Sequence, residues 1–111
     1  PYGAASLQTM KALGIYGRLL PSLIKGMSIS HAYHFVESGN ASVGFVAVSQ
    51  IQGLNTGSVW IVPAYLHDPI LQDAVILNKG PIQSETHSFI KFLRAPVSQS
   101  IITHYGYDPG N

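Results

Sequence analysis

Two helix starts in this sequence offer chemistry that needs no charged side chain. Periodic apolar residues predict a helix that begins near Gly3 and another that begins near Ile29. The first turn of a helix presents backbone N–H groups with no acceptor inside the helix, and it carries roughly half a positive charge. Two such starts that converge on one point would hold an oxyanion with neutral donors alone. Most helix starts bind nothing, so the pattern by itself does not establish a site.

The side chains with catalytic or metal-binding chemistry form no convincing group. His31 and His34 lie three positions apart on the second predicted helix, but Glu37 is the only carboxylate nearby and the chain contains no cysteine. We interpret this pair as part of a solvated face, because the apolar residues of the helix point elsewhere. Ser49 lacks the glycine-flanked turn of a hydrolase nucleophile, and Asp73 lies within a predicted strand. The sequence therefore predicts no metal site, no cofactor and no catalytic residue.

The composition excludes several classes of protein. The 111 residues include six Lys or Arg and five Asp or Glu, so the formal net charge is +1 with neutral histidines. Nucleic acid requires a clustered basic field, which these scattered charges do not provide. An apolar share of 46% argues against disorder, and the absence of cysteine excludes disulfide scaffolds and thiolate metal sites. The length suits one domain.

Helical and strand patterns alternate along the chain. The first helix should end at Gly14 and the second at Gly39, and Ile29 should be buried in the apolar stripe of the second. Ser84 is the predicted N-cap of a later helix, and Pro96 opens the last one. Short apolar runs predict strands at residues 23–24, 43–48, 58–62 and 72–77. The predicted fold class is therefore α/β, with a central, mostly parallel sheet flanked by helices and a βαβ unit across residues 23–48.

Four stretches carry the most specific pattern in the chain: PYGAA (1–5), HFVESGNASVGFVAVSQ (34–50), PILQDAVIL (69–77) and FLRAPVSQSIITHYGY (92–107). They resemble the C-terminal half of periplasmic molybdate-binding proteins, the substrate-binding components of molybdate ABC transporters. The resemblance implies one lobe of a type II periplasmic-binding-protein fold. Residues 1–80 would form the α/β core of the second lobe, and residues 81–111 the C-terminal helices that in the family pack on the first lobe.

The resemblance also implies a ligand and a site. The family holds molybdate or tungstate, a tetrahedral oxyanion, between its two lobes without catalysis. Matched positions make the backbone N–H groups of Tyr2 and Ile29 the donors of the second lobe. Part of the family has an anion-binding tyrosine where this chain has Ala47, which supplies no hydroxyl. A periplasmic or extracytoplasmic location and a membrane permease as partner follow from the same resemblance.

Two other interpretations stay open at this point. The first is the effector-binding domain of a transcriptional regulator with the same two-lobed fold, and the second is a small α/β enzyme.

The first lobe of the family, with its hydroxyl and amide donors, has no counterpart in the sequence. We therefore expect a fragment of a longer precursor that binds molybdate weakly or not at all by itself. Its apolar C-terminal helices should drive self-association as a two-fold dimer, with or without exchanged helices. The apolar residues concerned are Phe89, Phe92, Leu93, Ile101 and Ile102.

Overall fold

The computed structural model describes residues 1–77 and 83–109. The helices of this part are α1 (Tyr2–Ala12), α2 (Tyr16–Leu19), α3 (Ile29–Glu37), α4 (Gln83–Leu93) and α5 (Pro96–His104). Single 3-10 turns occur at Leu20–Ser22, Val48–Gln50 and Ala64–Leu66. The chain divides into two compact units, Pro1–Leu71 and Gln72–Asn111. Within the described ranges, no helix has the combined length and apolar character of a membrane span.

The predicted central sheet is wrong. Residues 1–77 and 83–109 contain no β-strand, and the segments predicted as strands run without ladder partners. A strand forms only where its N–H and C=O groups pair with a neighbouring strand, and an apolar run cannot supply that neighbour. Several apolar side chains of these segments stay in contact with solvent, among them Val43 at 85%, Ile61 at 60% and Val75 at 82% exposed, whereas Ala47 is buried. The predicted βαβ unit is wrong for the same reason, and the described fold is helical.

The predicted helices are present, and their ends follow local rules. α1 begins at Tyr2, one residue before the predicted start, and α3 begins at Ile29. Gly14 follows α1 with a φ of 67°, and Gly39 follows α3 with a φ of 74°. Such positive angles end a helix at little cost only in glycine, which has no Cβ to collide with the backbone. The helix ends predicted at these two glycines are therefore confirmed.

A small core holds the unit Pro1–Leu71 together. α1 packs on α2 and on the turn Ala64–Leu66. The side chain of Gln8 adds a two-point attachment, since its amide donates to Asp68 Oδ2 at 2.5 Å and accepts from the Asp68 N–H at 3.0 Å. This pairing fixes the loop that follows the turn against α1. The buried residues of the unit are Ala5, Thr9, Met10, Ala47 and Leu66.

The unit Gln72–Asn111 contains α4 and α5, which pack on each other. Side chains of α5 bind the last carbonyls of α4: Ser98 Oγ donates to Phe92 O at 2.7 Å, and Gln99 Nε2 donates to Leu93 O at 3.1 Å. Carbonyls at a helix end have no acceptor role inside the helix, so these bonds define where the two helices meet. Ser84 lies within the first turn of α4, which begins at Gln83, so its predicted position as N-cap is wrong.

Two glycines allow the segments before and after α3 to approach it closely. A Cβ on Gly26 would lie 2.6 Å from the Ala32 nitrogen and 2.8 Å from the Ser28 oxygen. A Cβ on Gly44 would lie 2.5 Å from a methyl group of Val36. The obstacle at Gly26 is backbone, which cannot move aside as a flexible side chain does. Gly26 is therefore required for the approach of its loop to the first turn of α3.

Replacing Gly26 tests this close approach. Gly26→Ala should lower the free energy of unfolding by about 1–3 kcal/mol, the usual cost of overpacking. Gly17→Ala is the matched control, because Gly17 lies in α2 with nothing within 4 Å of the added Cβ. That variant should keep or raise the stability, by up to about 1 kcal/mol. Equal stability of the two variants in thermal unfolding, followed by circular dichroism, would contradict the assignment.

Candidate functional site

The start of α3 is the better defined of the two predicted helix starts. Ser28 is its N-cap, with an extended backbone (φ −148°, ψ 168°), and its Oγ accepts the His31 N–H at 3.1 Å. The Ser28 carbonyl accepts the Ala32 N–H at 3.0 Å. The cap thus satisfies the third and fourth N–H groups of the helix. The N–H groups of Ile29 and Ser30 belong to the first turn, where the helix itself offers no acceptor.

The start of α1 differs in its cap. Pro1 precedes the helix, and no side chain caps it. The Pro1 carbonyl accepts the Ala5 N–H at 3.1 Å, and the Tyr2 carbonyl accepts a hydrogen bond from Ser6 Oγ at 2.7 Å. In both bonds the acceptor is the carbonyl oxygen of one of the first two residues. The N–H of Tyr2 lies in the first turn, at the positive end of α1.

Charge and the identity of the first residue distinguish the starts of α1 and α3 from those of the other long helices. Neither α1 nor α3 has an acidic residue in its first turn. α4 carries Glu85 in its first turn, and α5 begins with Pro96, whose nitrogen has no proton to donate. A carboxylate in the first turn neutralises the positive helix end and repels an anion. Among the described helices of eight residues or more, α1 and α3 therefore have the starts that suit an anion.

The structure places both predicted site residues at helix starts within one unit. Tyr2 is the first residue of α1 and Ile29 the first of α3, and both belong to Pro1–Leu71. α1 packs chiefly on α2 and on Ala64–Leu66, and α3 makes no comparable contact with it in the described chain. Convergence of the two starts on one anion stays a prediction. The predicted burial of Ile29 is wrong, since no residue of α3 is fully buried and Ile29 is half-buried.

His31 and His34 lie in different environments. His31 Nδ1 accepts the Met27 N–H at 3.3 Å, and the His31 ring stacks on Phe35 with centroids 4.6 Å apart. His34 Nδ1 lies 2.9 Å from Glu37 Oε2, and both of these side chains are more than half exposed. The contact of His31 with the loop before α3 was not predicted, because residue spacing does not give the path of a loop. No group of three His, Cys, Asp or Glu in the described part of the chain is arranged to hold a metal.

Glu37 also affects the tyrosine one turn before it. The Tyr33 hydroxyl donates to Glu37 Oε1 at 3.3 Å. Desolvation, followed by the negative charge of Glu37 and this hydrogen bond, raises the pKa of Tyr33 above its ordinary value. Tyr33 is therefore a neutral donor at any physiological pH.

Ala47 belongs to the core and not to a binding surface. It is 6% exposed, and its N–H donates to Gln50 Oε1 at 2.9 Å. Its side chain contributes packing, and its backbone N–H is already satisfied. The donors of a site in this unit therefore have to come from elsewhere, and the helix starts are the candidates.

A shallow depression of about 330 Å3 lies beside the first turns of α1. Pro1, Ala4 and Gln8 line one side of it, and residues 68–71 line the other. Asp68 brings a carboxylate to this surface, where it would repel an oxyanion. The depression is therefore not part of the candidate anion site.

Comparison with known proteins extends over almost the whole chain. The model of a family described as bacterial extracellular solute-binding protein matches residues 1–108. The molybdate-binding protein ModA of Rhodobacter capsulatus is 49% identical over 107 residues, which are 96% of this chain and 42% of that protein. ModA of Azotobacter vinelandii is 43% identical over 110 residues, 96% of this chain and 44% of that protein. The chain thus spans less than half the length of these curated relatives.

The presence of Glu85 in the first turn of α4, where α1 and α3 have no acidic residue, leads to a prediction. Ser84 Oγ donates to Glu85 Oε2 at 2.6 Å, and this bond, followed by one from the backbone of Glu85, lowers the pKa of that carboxyl group. Ser84→Ala should therefore raise the pKa of Glu85 towards its ordinary value, as measured by NMR titration. Ser88→Ala is the control, because Ser88 Oγ binds the Ser84 carbonyl and not the carboxylate.

The sign of the linked stability follows from the direction of that shift. A carboxyl group whose pKa is lower in the folded state stabilises the fold above its ordinary pKa, and the contribution disappears as the pH falls through the folded value. Ser84→Ala should weaken this acid dependence. A pKa of Glu85 that stays the same in Ser84→Ala would exclude the hydroxyl as its cause.

Proposed function

We propose that this chain, which belongs to the family of bacterial extracellular solute-binding proteins, is part of the molybdate-binding component of an ABC transporter. Two relatives that are 49% and 43% identical to it are named molybdate-binding proteins, which supports the same ligand class here. The family is one of binding proteins and not of enzymes. Tungstate, the tetrahedral oxyanion of the same charge, is the proposed second ligand. The proposed location is the periplasm, and the proposed partner is the membrane permease.

The observation that carries the proposed binding mode is that the first turns of α1 and α3 contain no acidic residue. We assign the backbone N–H groups of Tyr2 and Ile29 as donors to the anion. A net charge of +1 provides no strong attracting field, so the attraction has to come from the positive ends of α1 and α3. A buried dianion is stable only when almost all its oxygen lone pairs receive a hydrogen bond. Further donors are expected outside this sequence, which spans less than half of each curated relative.

Fixed backbone donors also explain how the size of the anion is selected. A helix start cannot move as a lysine side chain can, because the peptide groups that carry its N–H groups are fixed by the helical backbone. A cavity bounded by such donors fits best an anion of one size, that is, one with a particular distance between its oxygen atoms. The larger molybdate and tungstate would satisfy all donors at once, whereas the smaller sulfate would leave some unpaired. Closure of two lobes around the anion would complete the set of donors.

The helices of the second unit are proposed to cover a further part of the protein. Val97, Ile101 and Tyr105 lie four residues apart along α5, and each is 48–54% exposed. On α4, Phe89 and Phe92 are 57% and 52% exposed. We propose that residues 81–111 pack on the first lobe in a complete protein. In the isolated chain a second copy would take that place.

Removal of one donor tests the binding mode. Ile29→Pro deletes the N–H, yet proline is favourable at the first position of a helix, and the extended backbone of Ser28 suits a following proline. The variant should keep the circular dichroism spectrum of the original protein. Its affinity for molybdate should fall roughly 10- to 100-fold, the effect of losing a hydrogen bond to a charged group. Calorimetry on the complete protein that contains this sequence measures the affinity.

Two matched variants isolate the donor from the side chain. Ile29→Val retains the N–H and should bind molybdate as the original protein does. Tyr2→Phe removes the hydroxyl and retains the N–H, so it should also bind normally if the backbone is the donor. Equal affinities of the proline and valine variants would refute the assignment of Ile29.

The exposed stripe of α5 leads to a prediction for the isolated 111-residue chain. Sedimentation should detect a dimer that Ile101→Lys weakens at least tenfold, or about 1.4 kcal/mol, by placing a charge in an apolar contact. Val43→Lys is the control, since Val43 is an equally apolar and more exposed residue of the other unit. A chain that remains monomeric at high concentration would rule out self-association.

A further inference from the structure

The two methionines of the chain occupy opposite environments. Met10 lies in the core of the first unit and is 6% exposed. Met27 is 93% exposed. Susceptibility of a thioether to oxidation follows its exposure to solvent, so an oxidant reaches these two sulfur atoms very differently. The difference makes Met10 an internal reference for Met27.

Met27 also holds a defined place in the fold. It directly precedes Ser28, the N-cap of α3, and its N–H donates to His31 Nδ1 at 3.3 Å. On its other side, Gly26 lies against the backbone of Ala32 with no room for a Cβ. The backbone of Met27 is therefore held on both sides, while its side chain extends into solvent. An exposed apolar side chain in this position adds little to packing, which leaves the sulfur accessible at the start of α3.

We propose that Met27 is a site of reversible oxidation to methionine sulfoxide, and that oxidation weakens anion binding at the start of α3. The second part rests on the function proposed above. With hydrogen peroxide as oxidant, a sulfur lone pair attacks one peroxide oxygen, the O–O bond breaks and an S–O bond forms. The sulfur loses two electrons, and the departing hydroxide takes the remaining proton and leaves as water. Methionine sulfoxide reductases restore the thioether.

The expected effect on binding follows from the polarity of the product. A sulfoxide oxygen is a strong acceptor that carries partial negative charge, whereas a thioether sulfur is a weak acceptor. The N–H groups of Ile29 and Ser30 lie two and three residues further along the chain, and the methionine side chain is long, unbranched and flexible. The oxidised side chain would occupy the donors that the anion needs. The effect is moderate, because the sulfoxide is neutral and the anion keeps its other donors.

Peptide mapping after mild treatment with hydrogen peroxide tests the site itself. Met27 should gain oxygen about tenfold faster than Met10 or more, in line with exposed fractions of 93% and 6%. The measurement needs no ligand. Equal rates at the two methionines would overturn the assignment of the site.

Calorimetry with molybdate, before and after oxidation, tests the effect on binding in the complete protein that contains this sequence. Oxidation should raise the dissociation constant of the original protein and of Met10→Leu roughly three- to tenfold, less than Ile29→Pro does, because the sulfoxide competes for the donor and does not remove it. Met27→Leu keeps an apolar side chain without sulfur, so its affinity should be the same before and after treatment. An equal loss in oxidised Met27→Leu would overturn the regulatory part of the proposal.

The two proposals fail in distinguishable ways. If the protein does not bind molybdate before oxidation, the proposed function is wrong, and with it the regulatory part, while the peptide map still decides whether Met27 is the oxidised residue. If molybdate binds but oxidation of Met27 leaves the affinity unchanged, the proposed function stands and the regulatory part is wrong.

Discussion

The hydrogen bond between Ser28 Oγ and the His31 N–H is the local constraint on which the proposed anion site depends. It fixes the residue at which α3 begins and leaves the N–H groups of Ile29 and Ser30 as the first turn. Gly26 packs beneath the same turn, and His31 accepts the N–H of Met27. The cap residue Ser28, the close approach of Gly26 and the contact of His31 with Met27 thus hold the start of α3 in place.

Electrostatics explains why helix starts suit an anion in a chain with few charges. Basic side chains are scattered and nearly balanced by acidic ones, so no cluster of them forms an attracting patch. Oriented peptide dipoles supply positive potential without a mobile counter-charge, and they do so wherever the first turn lacks a carboxylate. α1 and α3 meet this condition, and so does α5, although its first residue, Pro96, has no N–H, whereas Glu85 neutralises the start of α4.

The apolar surface of the chain has a different origin from that of an ordinary domain. Several valine and isoleucine side chains remain exposed in the segments that form no strand, and α4 and α5 expose aromatic and aliphatic side chains beyond the contact between them. Exposed apolar surface on this scale marks a binding interface in a soluble protein. The exposed surface of α4 and α5 is therefore the one for which we propose a covering lobe in a complete protein, or a second copy in the isolated chain.

The sequence by itself determined the starts of α1 and α3 to within one residue, and the absence of cysteine and of a basic field. Ser28, Ile29 and Gly39 act on their immediate neighbours, so their effect on α3 could be predicted from position alone. The sequence did not determine the sheet, because a strand requires a partner distant in the chain, and the apolar run at 43–48 specifies burial but no partner. Only the tertiary structure decided that Gln8 binds Asp68, that His31 faces the loop of Met27, and that Met10 is buried while Met27 is exposed. Each of these facts depends on the path of a loop, and residue spacing in the sequence carries no information about that path.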